Sequence, residues 1–147
     1  MPQNEIVPNR SGKSPVIPSM RYRDAPAAIE WLCRALGFQK HAVYANPDGT
    51  IAHAELTFGD GMIMLGSVTD APHSYLMKQP DEIGMASTHG INLIAEDADS
   101  VYARAKAEGA EIVLDIEDKN YGGRGFTFRD PEGHLWHVGT YNPWDQH

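Results

Sequence analysis

The chain carries one structural plan twice, and a repeat of this length restricts the possible folds more than composition does. RYRDAPAAIEWLCRALGF (21–38) and LIAEDADSVYARAKAEGAEI (93–112) each pass from an extended segment through an Asp into a helical pattern closed by Gly. Asp24 matches Asp97 and Gly37 matches Gly109, at offsets of 73 and 72 residues. Downstream, ELTFGDGMIMLG (55–66) lies beside GFTFRDPEGHLWHVG (125–139). Thr57 and Phe58 match Thr127 and Phe128 at an offset of 70, and after a two-residue insertion Gly61 matches Gly133 at 72. The repeating unit is about 72 residues, half of the 147-residue chain.

Local signals agree within each unit. Asp24 can accept a hydrogen bond from an early backbone N–H, and Pro26 suits a first helical turn because it lacks a donor. Ile29, Leu32, Cys33 and Leu36 then form one stripe, stopped by Gly37 in a left-handed cap. A second helix is predicted from about Ala98 to Glu108, with Ala98, Val101, Tyr102 and Ala105 on one side. Three extended segments follow each helix, separated by the turn signals NPDG and GDG in the first half and NYGG and DPEG in the second. Strands are predicted near 16–23, 38–46, 50–58 and 62–67, then near 90–96, 110–117, 124–129 and 134–141.

The fold class is therefore α+β, built from tandem βαβββ modules at about 14–67 and 89–144. They belong to a single domain, 14–147, that follows a flexible lead at 1–13. Residues 68–88 join the modules, and a loop of that length covers or borders a site. A four-stranded sheet with one helix leaves its other face uncovered. Two such faces turned toward each other make a curved mixed-sheet cup. Alternation supports a polar wall, since Ser19 and Arg21 alternate with Met20 and Tyr22, and Asn92 stands between Ile91 and Leu93.

Charge and composition exclude several function classes. Twelve scattered Lys and Arg against twenty Asp and Glu give a net charge of −8, which disfavours nucleic acid. The apolar runs fall far short of the roughly 20 residues that span a bilayer. The opening MPQNEIVPNRSGKS has no apolar signal segment, so a cytoplasmic setting is expected. The single Cys33 excludes an internal disulfide or a cysteine-built zinc site, and its place on the helix stripe argues against a nucleophile. No GxSxG elbow or phosphate-cradling glycine loop is present.

The tandem plan, with DPEG before the last strand, resembles the vicinal oxygen chelate superfamily. That superfamily includes glyoxalase I, bleomycin-resistance proteins, extradiol dioxygenases and fosfomycin-resistance enzymes. The resemblance spans about residues 14–144 and rests on RYRDAPAAIEWLCRALGF, GTIAHAELTFGDGMIMLGS and YGGRGFTFRDPEGHLWHVGTY. It is similar to the uncharacterised glyoxalase and bleomycin-resistance-like branch. In the metal enzymes of the superfamily, one ligand comes from the opening strand and one from the closing strand of each half. Carried over, these positions fall on Ile17, Gly90, Leu65 and His137, and only His137 can coordinate a metal. Glyoxalase-like enzymes have Glu at that last position. The resemblance thus implies no metal cofactor. The alternative is one divalent ion, Zn, Fe, Ni or Mn, held by His53, His89 and His137 with Glu55.

Two functions follow. One is a metal-free binding protein of the bleomycin-resistance kind that holds a small organic molecule, aromatic or cationic, in the cup. The other is an enzyme, either a metal-dependent lyase, isomerase or dioxygenase, or a metal-free acid–base catalyst using His137 and Glu55. Candidate ligand contacts are His53, which shares a strand face with Glu55 and Thr57, together with Arg124, Tyr121, Asn92, Trp136 and Arg21. His137 reads equally as a satisfied buried histidine, and Arg124 as one end of a surface salt bridge. Trp31, Trp136, Trp144, Tyr44, Tyr121 and Tyr141 offer flat surfaces, of which one or two are expected in a pocket. A third reading has the linker closing the cup with Tyr75 and Leu76. The resemblance also implies a homodimer, with the NPW segment at 142–144 able to dock on a neighbour.

Overall fold

A computed structural model of the chain describes residues 6–9 and 11–145. The predicted lead at 1–13 and the predicted domain end at 147 therefore lie partly outside the described residues. Lys13 pairs with Asp60 at 2.7 Å, and the Ser14 amide donates to the Asp60 carbonyl at 3.2 Å.

The first half runs β1 (Ser19–Tyr22), α1 (Ala25–Leu36), β2 (Gln39–Ala45), β3 (Ile51–Phe58) and β4 (Gly61–Ser67). The second runs β5 (Ile91–Ile94), α2 (Ala98–Ala107), β6 (Glu111–Asp118), β7 (Arg124–Arg129) and β8 (Leu135–Gly139). Each half forms one four-stranded sheet, in the orders β1-β4-β3-β2 and β5-β8-β7-β6. The opening strand lies parallel to the closing strand and the remaining pairs are antiparallel. The tandem βαβββ reading holds, element for element. No helix among the described residues is long and apolar enough to cross a membrane.

The helix signals act as expected. Asp24 accepts from the Ala27 amide at 3.1 Å, and Gly37 takes φ 81°, donating to the Cys33 carbonyl at 3.2 Å. Asp97 caps α2 by accepting from the Ser100 amide at 3.2 Å. The buried arc of α1 comprises Ala25, Ala28, Ile29, Trp31, Leu32, Ala35 and Leu36. Cys33, expected within the stripe, is only half-buried. The arc is wide because α1 meets its own sheet on one side and the second half on the other. Its centre lies near Ala28 and Leu32, leaving Cys33 at the rim.

The halves join on their helix-bearing sides. The Trp31 ring lies 6.1 Å from Phe128 and the Phe38 ring 5.8 Å from Trp136, within one apolar cluster drawn from both modules. The Trp31 indole N–H donates to the Glu108 carbonyl at 2.7 Å. The DPEG turn completes the joint. Asp130, 5% exposed, accepts through Oδ2 from Tyr22 Oη at 2.6 Å and Trp136 Nε1 at 3.0 Å. Its Oδ1 accepts from the amides of Glu132 and His134, both at 3.0 Å. Glu132 in turn accepts from the amides of Arg23 at 2.7 Å and Asp24 at 2.9 Å, satisfying donors at the start of α1.

Candidate functional site

With the helix sides joined, the polar residues of the strands lie on the opposite faces. Alternation decides membership. Met20 and Tyr22 are buried while Ser19 is exposed and Arg21 half-buried; Leu93 is buried while Asn92 is exposed. Along β8, Trp136 and Val138 face the core, and Leu135 and His137 face away from it.

A hollow of about 530 Å³ opens where the approaches to β1 and β5 meet the linker. Its walls include Ile17 and Ser19 from the first half, Gly90, Asn92, His134 and Leu135 from the second, and Met77, Pro80 and Ile83 from the linker. His134 is fixed there by donating from Nε2 to the Arg21 carbonyl at 2.9 Å. The linker holds two short 3-10 turns, Ser74–Leu76 and Pro80–Ile83, and borders the site as its length suggests. It is seated on the DPEG turn: a Cβ on Gly133, which has φ 90°, would stand 2.5 Å from Met85 Cε and 3.1 Å from Pro80 Cβ. Tyr75 and Leu76 are each 69% exposed, so neither serves as a plug.

The expected ligand positions are only partly assembled. Ile17 and Gly90 line the hollow, but Leu65 is 1% exposed and packed in the core. The register explains this. Ser19 pairs with Met64 as Asn92 pairs with His137, so Met64 is the first-half counterpart of His137. The carried-over count was displaced by one residue, which turns a strand position to the other face. His137 lies outside the lining of the hollow. Its Nδ1 is 3.0 Å from Thr127 Oγ1 across β7 and β8, and its ring lies over Gly125 and Gly139. Burial, and secondarily the Lys119 ammonium, hold the imidazole below its ordinary pKa.

The predicted pair of His137 and Glu55 is not assembled within one chain. Glu55 belongs to the other sheet, where its Oε2 meets His53 Nε2 at 2.8 Å and its Oε1 lies 3.9 Å from His41 Nε2. The His53 ring stacks on Tyr44 at 6.1 Å. His89 is exposed and close to Thr88 Oγ1, 3.2 Å from its Nδ1. Among the described residues, no group of three or more His, Cys, Asp or Glu side chains is placed to hold a metal ion. With Ile17, Gly90 and Met64 as the other positions, His137 is a single donor where three or four are needed. The donor set of one chain does not fit a metal.

Three further expectations are corrected. Trp136 contacts no ligand space: it is 0% exposed and donates to Asp130. Arg124 has its guanidinium on Asp99, at 2.9 and 3.2 Å, and on Asp118 at 3.4 Å, the surface salt bridge of the plainer reading. Tyr121 packs edge-on against Tyr141 at 5.3 Å and does not line the hollow. Trp31 is core as well, and none of the candidate aromatics lines the hollow. Met64, Thr127 and His134 were not among the expected site residues. Thr127 and Met64 were recoverable by counting alternation from His137 and Ser19.

Comparison with known proteins follows this geometry. Residues 16–138 match the model of the Glyoxalase/Bleomycin resistance protein/Dioxygenase superfamily. An uncharacterised protein of Mycobacterium tuberculosis H37Rv is 30% identical over 123 residues, covering 83% of this chain and 71% of that protein. The crystal structure of TioX from Micromonospora sp. ML1 superposes with a TM-score of 0.67 at 32% identity, covering 86% of this chain and 98% of TioX. The fosfomycin resistance protein FosX from Mesorhizobium loti shares the fold, with a TM-score of 0.60 at 16% identity over 89% of this chain and 94% of FosX. The duplicated βαβββ modules, the DPEG joint and these matches place this chain in the glyoxalase/bleomycin resistance protein/dioxygenase superfamily.

Proposed function

We propose that the chain is a small-molecule-binding member of this superfamily that takes an organic ligand in the hollow between β1, β5 and the linker, without a resident metal. The observation that carries this reading is the hollow itself. At about 530 Å³ it lies within the ordinary range of ligand pockets, with apolar walls from Ile17, Met77, Ile83 and Leu135 and polar groups from Ser19, Asn92 and His134. A net charge of −8 favours a ligand with cationic character, aromatic or otherwise. We place the protein in a reducing, cytoplasmic compartment on the strength of its single cysteine.

We further propose a homodimer. Val43 and Tyr44 on β2 and Val113 and Leu114 on β6 are 39–59% exposed, which is apolar surface a second copy would cover. Such pairing would also give His137 and Glu55 a route to one site. A second reading, metal-free acid–base catalysis by His137, is supported by one observation: Thr127 Oγ1 lies 3.0 Å from its Nδ1 and orients the ring on the face turned away from the core.

Elemental analysis of the purified protein and a thermal-shift screen of aromatic and cationic compounds test the binding reading. Ligands should raise Tm in the wild type and not in Asn92→Trp, which fills the hollow. Stoichiometric metal with activity lost on chelation would refute it.

A further inference from the structure

The wall of the large hollow has a charge opposite in sign to that of the whole chain. Asp and Glu supply 20 of the 147 residues, yet no described Asp or Glu lines the hollow, where Lys78 is the one described residue with a full charge at neutral pH. The acids closest to Lys78 along the chain are engaged elsewhere. Asp81 and Glu82 are turned onto Arg23, at 2.5 and 3.9 Å, and Glu82 also accepts from the Gln79 amide at 2.7 Å. Lys78 is exposed and has no ion pair among the described residues. The other four lysines are all occupied, Lys13 by Asp60, Lys40 by Glu30, Lys119 by Glu117 and Lys106 by the ring of Tyr102. Beside this free ammonium the wall is apolar. Met77 and Ile83, 45% and 42% exposed, stand with Ile17 and Leu135 in the lining and offer surface that the body of a ligand would cover.

An ammonium on a flexible four-carbon stem can follow an anionic group within the hollow, and it presents donors only. Its hydrogen bond to a carboxylate is charge-assisted, and it strengthens where apolar walls and a bound hydrocarbon exclude water. One cation balances one negative charge. A dianion would keep a second charge unmatched against apolar surface, which is costly. We infer that the ligand of the hollow is an apolar organic acid, with a hydrocarbon or aromatic body against Ile17, Met77, Ile83 and Leu135 and a single carboxylate paired with Lys78. This rests on the reading of the hollow as a ligand site and adds the class of ligand. The field of scattered surface charges is screened beyond about 8 Å at physiological salt, so the lining decides which group is held inside. The cationic character favoured by the chain as a whole belongs to whatever part of the ligand stays in solvent.

The test is calorimetric titration of the full chain with three compounds on one body, 2-naphthoate, 2-naphthylmethanol and 2-naphthylmethylammonium, and with heptanoate, heptanol and heptylammonium as the same set on a hexyl body. On whichever body binds, the acid should bind about fivefold more tightly than the alcohol, and the ammonium more weakly than either. Lys78→Met, which keeps an apolar stem, should erase the advantage of the acid while changing alcohol affinity by less than about twofold. Lys78→Glu should reverse the order of acid and ammonium. Asn92→Trp should abolish binding of every compound. An alcohol or ammonium that binds the wild type as tightly as the acid, or an acid preference that survives Lys78→Met, would overturn the inference and leave the hollow a ligand site. No binding of any of the six compounds, or binding that persists in Asn92→Trp, would overturn both.

Discussion

Replacing Asp130 by Ala should come close to unfolding the protein, and the structure supplies the magnitude. Four donors converge on this carboxylate, from Tyr22 Oη, Trp136 Nε1 and the amides of Glu132 and His134. Tyr22 and Trp136 are 1% and 0% exposed, so water cannot replace the lost acceptor without opening the joint between the halves. Each buried donor left unsatisfied costs roughly 1–3 kcal/mol, giving roughly 2–6 kcal/mol for these two alone. Domains of this size have about 5–15 kcal/mol in total. Urea unfolding followed by tryptophan fluorescence should show the extrapolated unfolding free energy falling by that amount, through a lower midpoint at an unchanged m-value. The double variant Tyr22→Phe/Asp130→Ala isolates the cause. Tyr22→Phe alone removes one satisfied bond and costs about 1 kcal/mol, but in the Asp130→Ala background it removes an orphaned donor and should restore about 1 kcal/mol or more. A loss under about 1 kcal/mol for Asp130→Ala, or additive effects in the double variant, would refute the account of the DPEG turn as the polar joint of the two halves.

The same joint sets an alkaline limit. Burial, reinforced by the negative charge of Asp130, raises the Tyr22 phenol well above its ordinary pKa. Only the unfolded chain therefore loses that proton as pH rises through about 10, so Tyr22 makes stability fall above that value, and Tyr22→Phe should flatten the fall in alkaline urea titrations. His137 acts in the opposite sense. Its folded pKa is depressed, so between that value and about 6.5 the unfolded chain binds the extra proton and stability rises with pH; His137→Gln should remove this slope when unfolding is measured between about pH 5 and 8. Gly125→Ala would place a methyl 2.7 Å from the Val138 carbonyl and 3.0 Å from His137 Nε2. It should cost about 1–3 kcal/mol in urea unfolding and move the His137 ring resonances, and unchanged resonances would refute the packing of that ring over β7.

The repeat, the helix caps and the turn motifs were legible in the amino-acid sequence because each acts over a few neighbouring residues. Asp24, Gly37, Asp97 and the DPEG turn do in the structure what their local chemistry dictates. Alternation likewise identified Ser19, Arg21 and Asn92 as facing away from the core. Strand register was not legible. A slip of one residue cannot be seen in a short apolar run such as MIML, yet it decides that Met64, and not Leu65, stands opposite Ser19. Pairings across long separations also needed the folded chain. Trp136 became core once Phe38 and Asp130 closed around it, and Arg124 found Asp99 on α2. By itself, then, the sequence determined the two βαβββ modules and the class of protein they form. Tertiary structure alone decided which polar groups found partners, Asp130 with Tyr22 and Trp136 among them, because hydrogen-bond satisfaction is a property of every neighbour that folding brings near.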